Sequence, residues 1–173
     1  MSKILLVFSF ALVFSTAAFA QNKSVYTTLV AEKCKTTSVN DGMPGNYSGK
    51  CPGAGGYQLE VYLDDERNSL GVVLPSKKVV GLDLWNYFGN FSELGDTAEW
   101  RMKGKRPVGL IVRLRVSDRG DGKPGTSYLI VSRITGTGAC VTDIVKPGKG
   151  QNARAQGLAD RASTKPCKKQ DRD

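Results

Sequence analysis

Histidine is absent from the 173 residues of this sequence. Its absence excludes the Ser-His-Asp and Cys-His catalytic arrangements and removes the commonest general base near neutral pH. The sequence also contains no CxxC pair, so the usual patterns of zinc ligands are missing. We therefore expect a protein that is not an enzyme and that has no catalytic residues, no cofactor and no metal.

Carboxylates are the side chains that remain for acid and base chemistry. In glycoside cleavage two carboxyl groups stand about 5 to 9.5 Å apart. Most acids of this chain fall in turn-like sequence, where a solvated carboxylate is the expected state. An envelope hydrolase that uses two carboxylates stays an alternative, with eight candidates: Asp64, Asp65, Glu66, Asp83, Glu93, Asp96, Glu99 and Asp143.

Long apolar runs are also missing, except at the N-terminus. There Lys3 precedes a short apolar segment from Ile4 to Phe14, and Ala18-Phe19-Ala20 has the small-x-small pattern of a cleavage site. The apolar segment is shorter than the roughly 20 residues that a membrane-spanning helix needs. The pattern predicts a cleaved signal peptide over residues 1–20 and a periplasmic protein, with secretion as the alternative, without a membrane span in the mature form.

Acidic residues are outnumbered, because 16 Asp and Glu accompany 25 Lys and Arg, a formal net charge of +9. Loss of the signal peptide removes one lysine and leaves +8, from 24 basic and 16 acidic residues. This balance favours an anionic glycan or an envelope protein as partner, although many exported proteins are basic without a specific partner. Nucleic acid is not expected, since no recognition-helix or RNP pattern occurs and export separates the protein from it.

Only four cysteines occur, and all of them follow the signal peptide. An even number of cysteines in an exported chain predicts disulfides. Four cysteines allow three pairings, of which we favour Cys34–Cys51 with Cys140–Cys167, because each closes a local loop. Loops of that size contribute about 3 kcal/mol each on the chain-entropy model.

The segment GKCPGAGGY, Gly49 to Tyr57, concentrates glycine and proline. A Walker loop would place Lys and Ser or Thr after its glycines, and a dinucleotide fingerprint would need glycine where Gln58 stands. Both patterns fail. We interpret the segment as a turn whose glycines accept positive φ, so that Cys51 can meet its partner.

Alternating apolar residues predict strands along most of the remaining chain. The clearest is PVGLIVRLRV, Pro107 to Val116, with its apolar side chains on one face. The segment from Cys34 to Gly56 has the composition of a loop, and an edge strand is expected near Val25. The main strands are expected at Tyr57–Leu63, Ser69–Leu74, Lys78–Leu84, Ala98–Lys103, Pro107–Val116, Ser127–Ile134 and Gly138–Val145.

The apolar period changes to that of a helix in QNARAQGLADRAS. The stripe consists of Ala155, Leu158, Ala159 and Ala162. We predict an α+β, mainly β fold: an antiparallel sheet or sandwich of about seven strands with one C-terminal helix and two disulfides. A single domain over residues 21–167 and a flexible tail over 168–173 complete the expected organisation.

An aromatic cluster follows the third of these strands, at Trp85, Tyr87, Phe88 and Phe91. Such side chains can stack on a sugar ring, but more often they fill the end of a core. Core packing is the interpretation we prefer.

Five basic side chains fall on strand positions that face away from the apolar stripes. Adjacent strands lie about 4.7–4.9 Å apart, so their cations can form a patch that holds carboxylates or phosphates. The alternative is an ordinary solvated sheet face, since exposed antiparallel faces are normally polar. The predicted binding residues are Arg101, Lys103, Arg113, Arg115 and Arg133.

Taken together, several segments resemble a family of small exported proteobacterial proteins with four cysteines and no established activity. The segments are Cys34, Cys51–Leu70, Leu94–Arg101, Lys105–Val116, Tyr128–Ile134, Ala139–Asp143, Gln151–Asp160 and Cys167. The resemblance implies a bacterial, periplasmic protein and supplies no catalytic residues.

The sequence thus predicts an exported, non-enzymatic protein that binds an anionic envelope component or a protein partner through its basic strand face. Two alternatives stay open: the carboxylate-dependent hydrolase, and a structural or stress-related envelope protein without a small-molecule site.

Overall fold

A computed structural model of the chain describes residues 22–39, 47–64, 67–117 and 125–170. The expected signal peptide and the acids Asp65 and Glu66 lie outside the described residues. The described residues form ten strands and two α-helices: β1 (Lys23–Thr28), β2 (Lys35–Val39), β3 (Tyr47–Cys51), β4 (Gln58–Asp64), β5 (Arg67–Val73), β6 (Val79–Gly81), α1 (Trp85–Phe88), β7 (Phe91–Lys103), β8 (Arg106–Ser117), β9 (Thr126–Ile134), β10 (Ala139–Val145) and α2 (Gln151–Ala159).

The strands form one sheet in the order β10-β9-β8-β7-β5-β4-β3-β2, with β1 paired to β7 and β6 paired to β5. The expectation of a mainly β fold with a C-terminal helix is confirmed. The expected number of about seven strands is wrong, because β2 and β3 form within the segment that had the composition of a loop. The expected antiparallel arrangement is also wrong at one pair of strands, since β5 and β7 run parallel where Arg67 pairs with Ser92.

Strand β7 is long enough to have two neighbours on the same edge. Its register with β8 shifts between Leu94 and Ala98, and this irregularity divides it into two parts. The first part lies beside β5, whereas residues 97–102 pair with β1. The N-terminal strand therefore joins the sheet at the part of β7 that carries Trp100 and Arg101.

The main core lies on one face of the sheet, where the alternation of β8 directs Leu110, Val112 and Leu114. Residues of β4 and β5 belong to the same cluster as residues of β9 and β10, so the sheet curves around it. Trp100 is fully buried there and donates from Nε1 to Thr27 Oγ1 at 2.9 Å. The apolar faces expected on β4 and β8 are thus confirmed, although β8 is also buried on its other face over much of its length.

Helix α2 packs on the opposite face. Its Ala155 and Ala159 are fully buried against a second cluster that contains Ile111, Leu129 and Val131. Ala162 is buried as well, and Leu158 packs against the same cluster, so the predicted apolar stripe is confirmed. A Cβ atom on Gly109 would lie only 2.6 Å from the carbonyl oxygen of Ala159. Glycine at that position therefore permits the close approach of helix and sheet.

The turn predicted at the glycine-rich segment is present. Gly55 and Gly56 adopt φ values of 60° and 85°, and a Cβ atom on Gly53 would lie 2.1 Å from the carbonyl oxygen of Tyr57. Cys51, at the end of β3, is fully buried in a disulfide with Cys34.

The second disulfide joins Cys140 on β10 to Cys167, so both predicted pairings are confirmed. Residues 165–170, the C-terminal strap, run beside β10. The backbone N–H of Lys168 donates to the Val141 carbonyl at 2.8 Å, and Asn86 Nδ2 donates to Gln170 Oε1 at 3.0 Å. The first residues of the expected tail are thus held by hydrogen bonds.

In the described part of the chain, no helix has the length and apolar character that crossing a membrane requires.

Candidate functional site

The five predicted binding residues do not form one surface. Arg101 on β7 and Arg133 on β9 lie in register on either side of Gly109, and the end of helix α2 covers that position. The helix therefore divides the predicted basic face. Arg101 lies under its C-terminal end, Arg113 contacts its first two residues, and Arg115 pairs with Glu93. Lys103 ends β7 in an exposed position.

Arg101 is a buried structural cation, 6% exposed, which corrects its prediction as a binding residue. Its hydrogen bonds to Asp160 raise its pKa, against the effect of burial, and the charge of Glu99 acts in the same direction. Burial opposes ionisation of Asp160, but hydrogen bonds from Arg101 and Asn22, with the charges of Arg101 and Arg161, hold the pKa of the Asp160 carboxyl below its usual range. The pair stays ionised at neutral pH.

Arg115 is exposed and pairs with an acid of the neighbouring strand. Its Nη1 atom lies 2.6 Å from Glu93 Oε2, and both side chains are more than half exposed. An exposed ion pair of this kind contributes little to stability, and Glu93 partly neutralises the charge of Arg115. Arg115 is therefore a weak candidate for anion binding. Lys103 is exposed and pairs in register with Arg106 at the end of the β7–β8 hairpin.

Arg133 is the predicted residue that lies beside a large cleft. Its Nη1 atom donates to the Lys165 carbonyl at 2.8 Å, and Nη2 lies 3.4 Å from Cys167 Sγ. Both partners belong to the C-terminal strap and line a cleft of about 630 Å³ between the strap, β10 and helix α2. We call it the lysine cleft. Its volume lies within the range of about 300–1,000 Å³ that is typical of small-molecule sites.

The lysine cleft combines an apolar floor with a cationic rim. The rings of Phe88 and Tyr128 lie 5.0 Å apart in a tilted pair at one end. The other apolar lining residues are Ile144, Leu158 and Pro166. The charged lining residues are Lys146, Lys165, Lys168 and Asp143. Three lysines with one acid give this cleft a net positive charge.

The acid of the lysine cleft is already paired. Lys165 Nζ donates to Asp143 Oδ1 at 2.5 Å, whereas Asp143 Oδ2 is buried without a hydrogen-bond partner among the described residues. This pair fixes the strap against β10 and neutralises one lysine. Lys146 and Lys168, both exposed, are left to meet an anion at the rim.

The predicted aromatic cluster divides between core and cleft. Tyr87 is buried in the core and donates from its hydroxyl to the Lys168 carbonyl at 3.3 Å, which supports the strap. Phe88 ends the same short helix and lines the lysine cleft.

Three of the eight acids proposed for hydrolysis lie in separate ion pairs. Glu93 pairs with Arg115, Glu99 with Arg101 and Asp143 with Lys165. Among the described residues, no group of Cys, Asp and Glu is placed to hold a metal ion.

Sequence reasoning missed the lysines of the cleft. Lys146 follows the last strand, and Lys165 and Lys168 flank Cys167. Lys168 was expected to belong to a flexible tail. The signal that was available is the pairing of Cys140 with Cys167, because that disulfide must bring the basic segment TKPCKK onto β10.

Comparison with protein-family models, with curated proteins and with solved structures found no match for this chain.

Proposed function

We propose that this is an exported, non-enzymatic binding protein whose lysine cleft takes a small anionic amphiphile of the cell envelope. The observation that carries the proposal is the combination of the exposed amines of Lys146 and Lys168 with an apolar floor in one cleft of about 630 Å³. A ligand with an apolar body and a single anionic head group matches both parts.

The apolar part of the ligand would lie against Phe88, Tyr128 and Leu158. Burial of apolar surface supplies affinity of about 25 cal/mol per Å², without directional demands. The head group, a carboxylate or a phosphate, would lie at the rim, where the two lysines favour a negative charge. Such exposed charge contacts are weak singly, about 0.2–1 kcal/mol, and they weaken further with added salt.

Export is the second part of the proposal and rests on the N-terminal pattern at residues 1–20 together with the two disulfides. Disulfides persist in oxidising compartments such as the periplasm. N-terminal sequencing of the protein from an envelope fraction should give a chain that begins at Gln21. A chain that retains Met1 and remains in the cytosol would contradict export without bearing on the cleft.

Binding can be tested by calorimetric titration of the mature protein with decanoate below its critical micelle concentration. Decanol, which has the same chain and no charge, and decyltrimethylammonium, which has the opposite charge, separate the roles of floor and rim. We expect saturable binding of decanoate, with at least a tenfold preference over the cation, and an affinity that falls between 50 mM and 500 mM salt.

The variant Lys146→Met/Lys168→Met should weaken decanoate binding about three- to tenfold. Lys103→Met/Lys78→Met removes the same charge away from the cleft and is the matched control. Equal losses in both variants would show that net charge, and not the cleft, attracts the ligand. If none of the three decyl compounds binds, the lysine cleft is not a ligand site, and a structural envelope protein becomes the favoured alternative.

A further inference from the structure

A second, smaller cleft lies on the other side of helix α2, between the helix and β1. Its volume is about 240 Å³, and it shares no lining residue with the lysine cleft. Strands β7 and β8 form its floor, and Tyr26 of β1 and Asn152 of α2 lie on its two sides. We call it the tyrosine cleft. It contains Arg113, one of the residues that the sequence predicted for binding.

The charge of Arg113 is the first unusual feature of this cleft. Its guanidinium donates to Ser127 Oγ at 2.7 Å and to the side-chain oxygens of Gln151 and Asn152 at 3.4 Å each. All three described partners are neutral oxygens, whereas Arg101 and Arg115 each pair with an acid. Among the described residues, no acid therefore neutralises the charge of Arg113. Its planar guanidinium also has N–H donors left that can bind a carboxylate.

Tyr26 supplies an exposed aromatic ring beside that cation. The residue is 59% exposed, a large value for an aromatic side chain on a strand. Tyr26 pairs with Glu99, which pairs with Ile111, so these three side chains stand in one row on the same face of the sheet. The ring thus borders a floor that is apolar at Ile111 and acidic at Glu99.

Glu99 is held in one orientation by neighbours on three elements. Its Oε1 atom accepts hydrogen bonds from Ser24 of β1 and from Gln156 Nε2 of helix α2 at 2.8 Å, and it lies 3.5 Å from Arg101 Nη1. Glu99 also lines the tyrosine cleft, so its carboxylate can accept a hydrogen bond from a ligand there. Thr97 and Asn152, which also line the cleft, add a hydroxyl and an amide.

We propose that the tyrosine cleft binds a single acidic sugar residue, a pyranose ring that carries a carboxylate. The apolar C–H face of such a ring would pack on Tyr26, and its carboxylate would be bound by the Arg113 fork. The ring hydroxyls would donate to Glu99 and exchange hydrogen bonds with Asn152. The volume is below the range for drug-sized ligands, about 300–1,000 Å³, which limits the occupant to one ring.

The proposal can be tested by NMR titration of the mature protein with glucuronate, with glucose and with acetate. Glucose keeps the ring without the charge, and acetate keeps the charge without the ring. We expect saturable shifts of the Tyr26, Glu99 and Arg113 backbone amides with glucuronate, and binding at least tenfold weaker for the other two compounds. Acetate that binds as tightly as glucuronate, or glucuronate that gives no saturable shift, would overturn the proposal.

Variants distinguish binding in the tyrosine cleft from attraction by the net positive charge of the protein. Arg113→Met should weaken glucuronate binding about tenfold or more, because the hydrogen bonds between the guanidinium and the carboxylate are lost. Tyr26→Ala should weaken it about tenfold as well, because the ring that packs on the sugar is lost. Arg115→Met removes a charge two residues along β8, and Lys168→Met removes one from the lysine cleft; neither should change binding by more than about twofold.

Arg113→Lys keeps the charge but loses the fork, so an intermediate loss is expected. Circular dichroism and thermal unfolding establish that each variant is folded, and Arg113→Lys keeps the test decisive if Arg113→Met does not fold. If Arg115→Met weakens binding as much as Arg113→Met does, the site is a diffuse basic surface and the proposal is wrong.

Discussion

Arg101 on β7 and Asp160 at the end of helix α2 form a bidentate ion pair. Arg101 Nε donates to Oδ1 at 2.7 Å, and Nη2 donates to Oδ2 at 2.9 Å. The same guanidinium donates to the Asn22 carbonyl at 2.9 Å and to the Ser24 hydroxyl. One side chain thus connects β1, β7 and α2, three of the elements that line the tyrosine cleft.

Replacement of Arg101 by methionine should lower the free energy of unfolding by about 2–4 kcal/mol. Loss of one partner of a buried pair costs about 3–5 kcal/mol, and the partial exposure of Asp160 reduces that figure. Chemical denaturation at pH 7 measures the change. Arg115→Met, which breaks an exposed pair on the next strand, is the control and should cost less than about 1 kcal/mol. Equal costs would contradict the structural role of Arg101.

The lowered pKa of Asp160 predicts a dependence of stability on acid pH. The folded-state pKa lies below the unfolded value of about 3.9, so the stabilisation is fully present above that value and is lost as the pH falls through the folded pKa. Asp160→Asn should therefore be least stable relative to wild type at neutral pH, and the difference should shrink below about pH 4. Asp96→Asn changes an exposed acid and should give a small difference at every pH.

The sequence predicted those strands and that helix whose apolar residues follow a regular spacing within one segment. The alternation along β8 and the stripe Ala155–Ala162 depend on side-chain periodicity, which is readable in a single segment. The strands β2 (KTTSV) and β3 (YSGKC) were missed because they have few apolar residues to alternate. Strand β3 pairs with β4, and β2 pairs with β3. These pairings cannot be predicted from the residues of β2 and β3 alone.

The candidate sites were predicted only in part, for a related reason. Alternation correctly placed Arg101 opposite Trp100, but it could not show that helix α2 packs on the face of Arg101. Whether a charged face is solvated or covered is decided by tertiary packing. Lys146 and Lys168 line the same cleft because the Cys140–Cys167 disulfide holds the C-terminal strap beside β10. Side-chain periodicity cannot predict that arrangement.

Gly109 sets the distance between helix α2 and the sheet, so Gly109→Ala should destabilise the protein by about 1–3 kcal/mol, the usual cost of overpacking. The added methyl group would lie 2.6 Å from a backbone oxygen and 2.9 Å from the Cβ atom of Ala159, neither of which is a flexible side-chain end. Thermal and chemical unfolding would report the loss.

Gly136→Ala is the matched control for that variant, because a Cβ atom on Gly136 would meet no heavy atom within 4 Å. It should change stability by less than about 0.5 kcal/mol. A Gly109→Ala protein as stable as the control would mean that the helix can move away from the sheet without loss of packing.

The two disulfides should differ in their rates of reduction by dithiothreitol under native conditions. Cys167 is exposed and lies beside the Arg133 guanidinium, whereas Cys51 is fully buried. Access favours attack on the exposed Cys167 sulfur, which forms the mixed disulfide and releases the Cys140 thiolate, and the Arg133 guanidinium attracts the incoming dithiothreitol thiolate. Timed alkylation followed by mass spectrometry should find Cys140 and Cys167 modified before Cys34 and Cys51, and Arg133→Met should slow the first step.

Opening of the Cys140–Cys167 disulfide should also release the C-terminal strap and with it the wall of the lysine cleft. The bridge spans 27 residues, and on the chain-entropy model its loss costs about 3.5 kcal/mol, against about 3 kcal/mol for the 17-residue span of Cys34–Cys51. Decanoate affinity and melting temperature should therefore fall together in Cys140→Ser/Cys167→Ser. Cys34→Ser/Cys51→Ser should lower the melting temperature and leave affinity nearly unchanged, because that bridge lies away from the cleft. A melting temperature that stays constant after full reduction, with four free thiols counted, would contradict the stabilising role of both bridges.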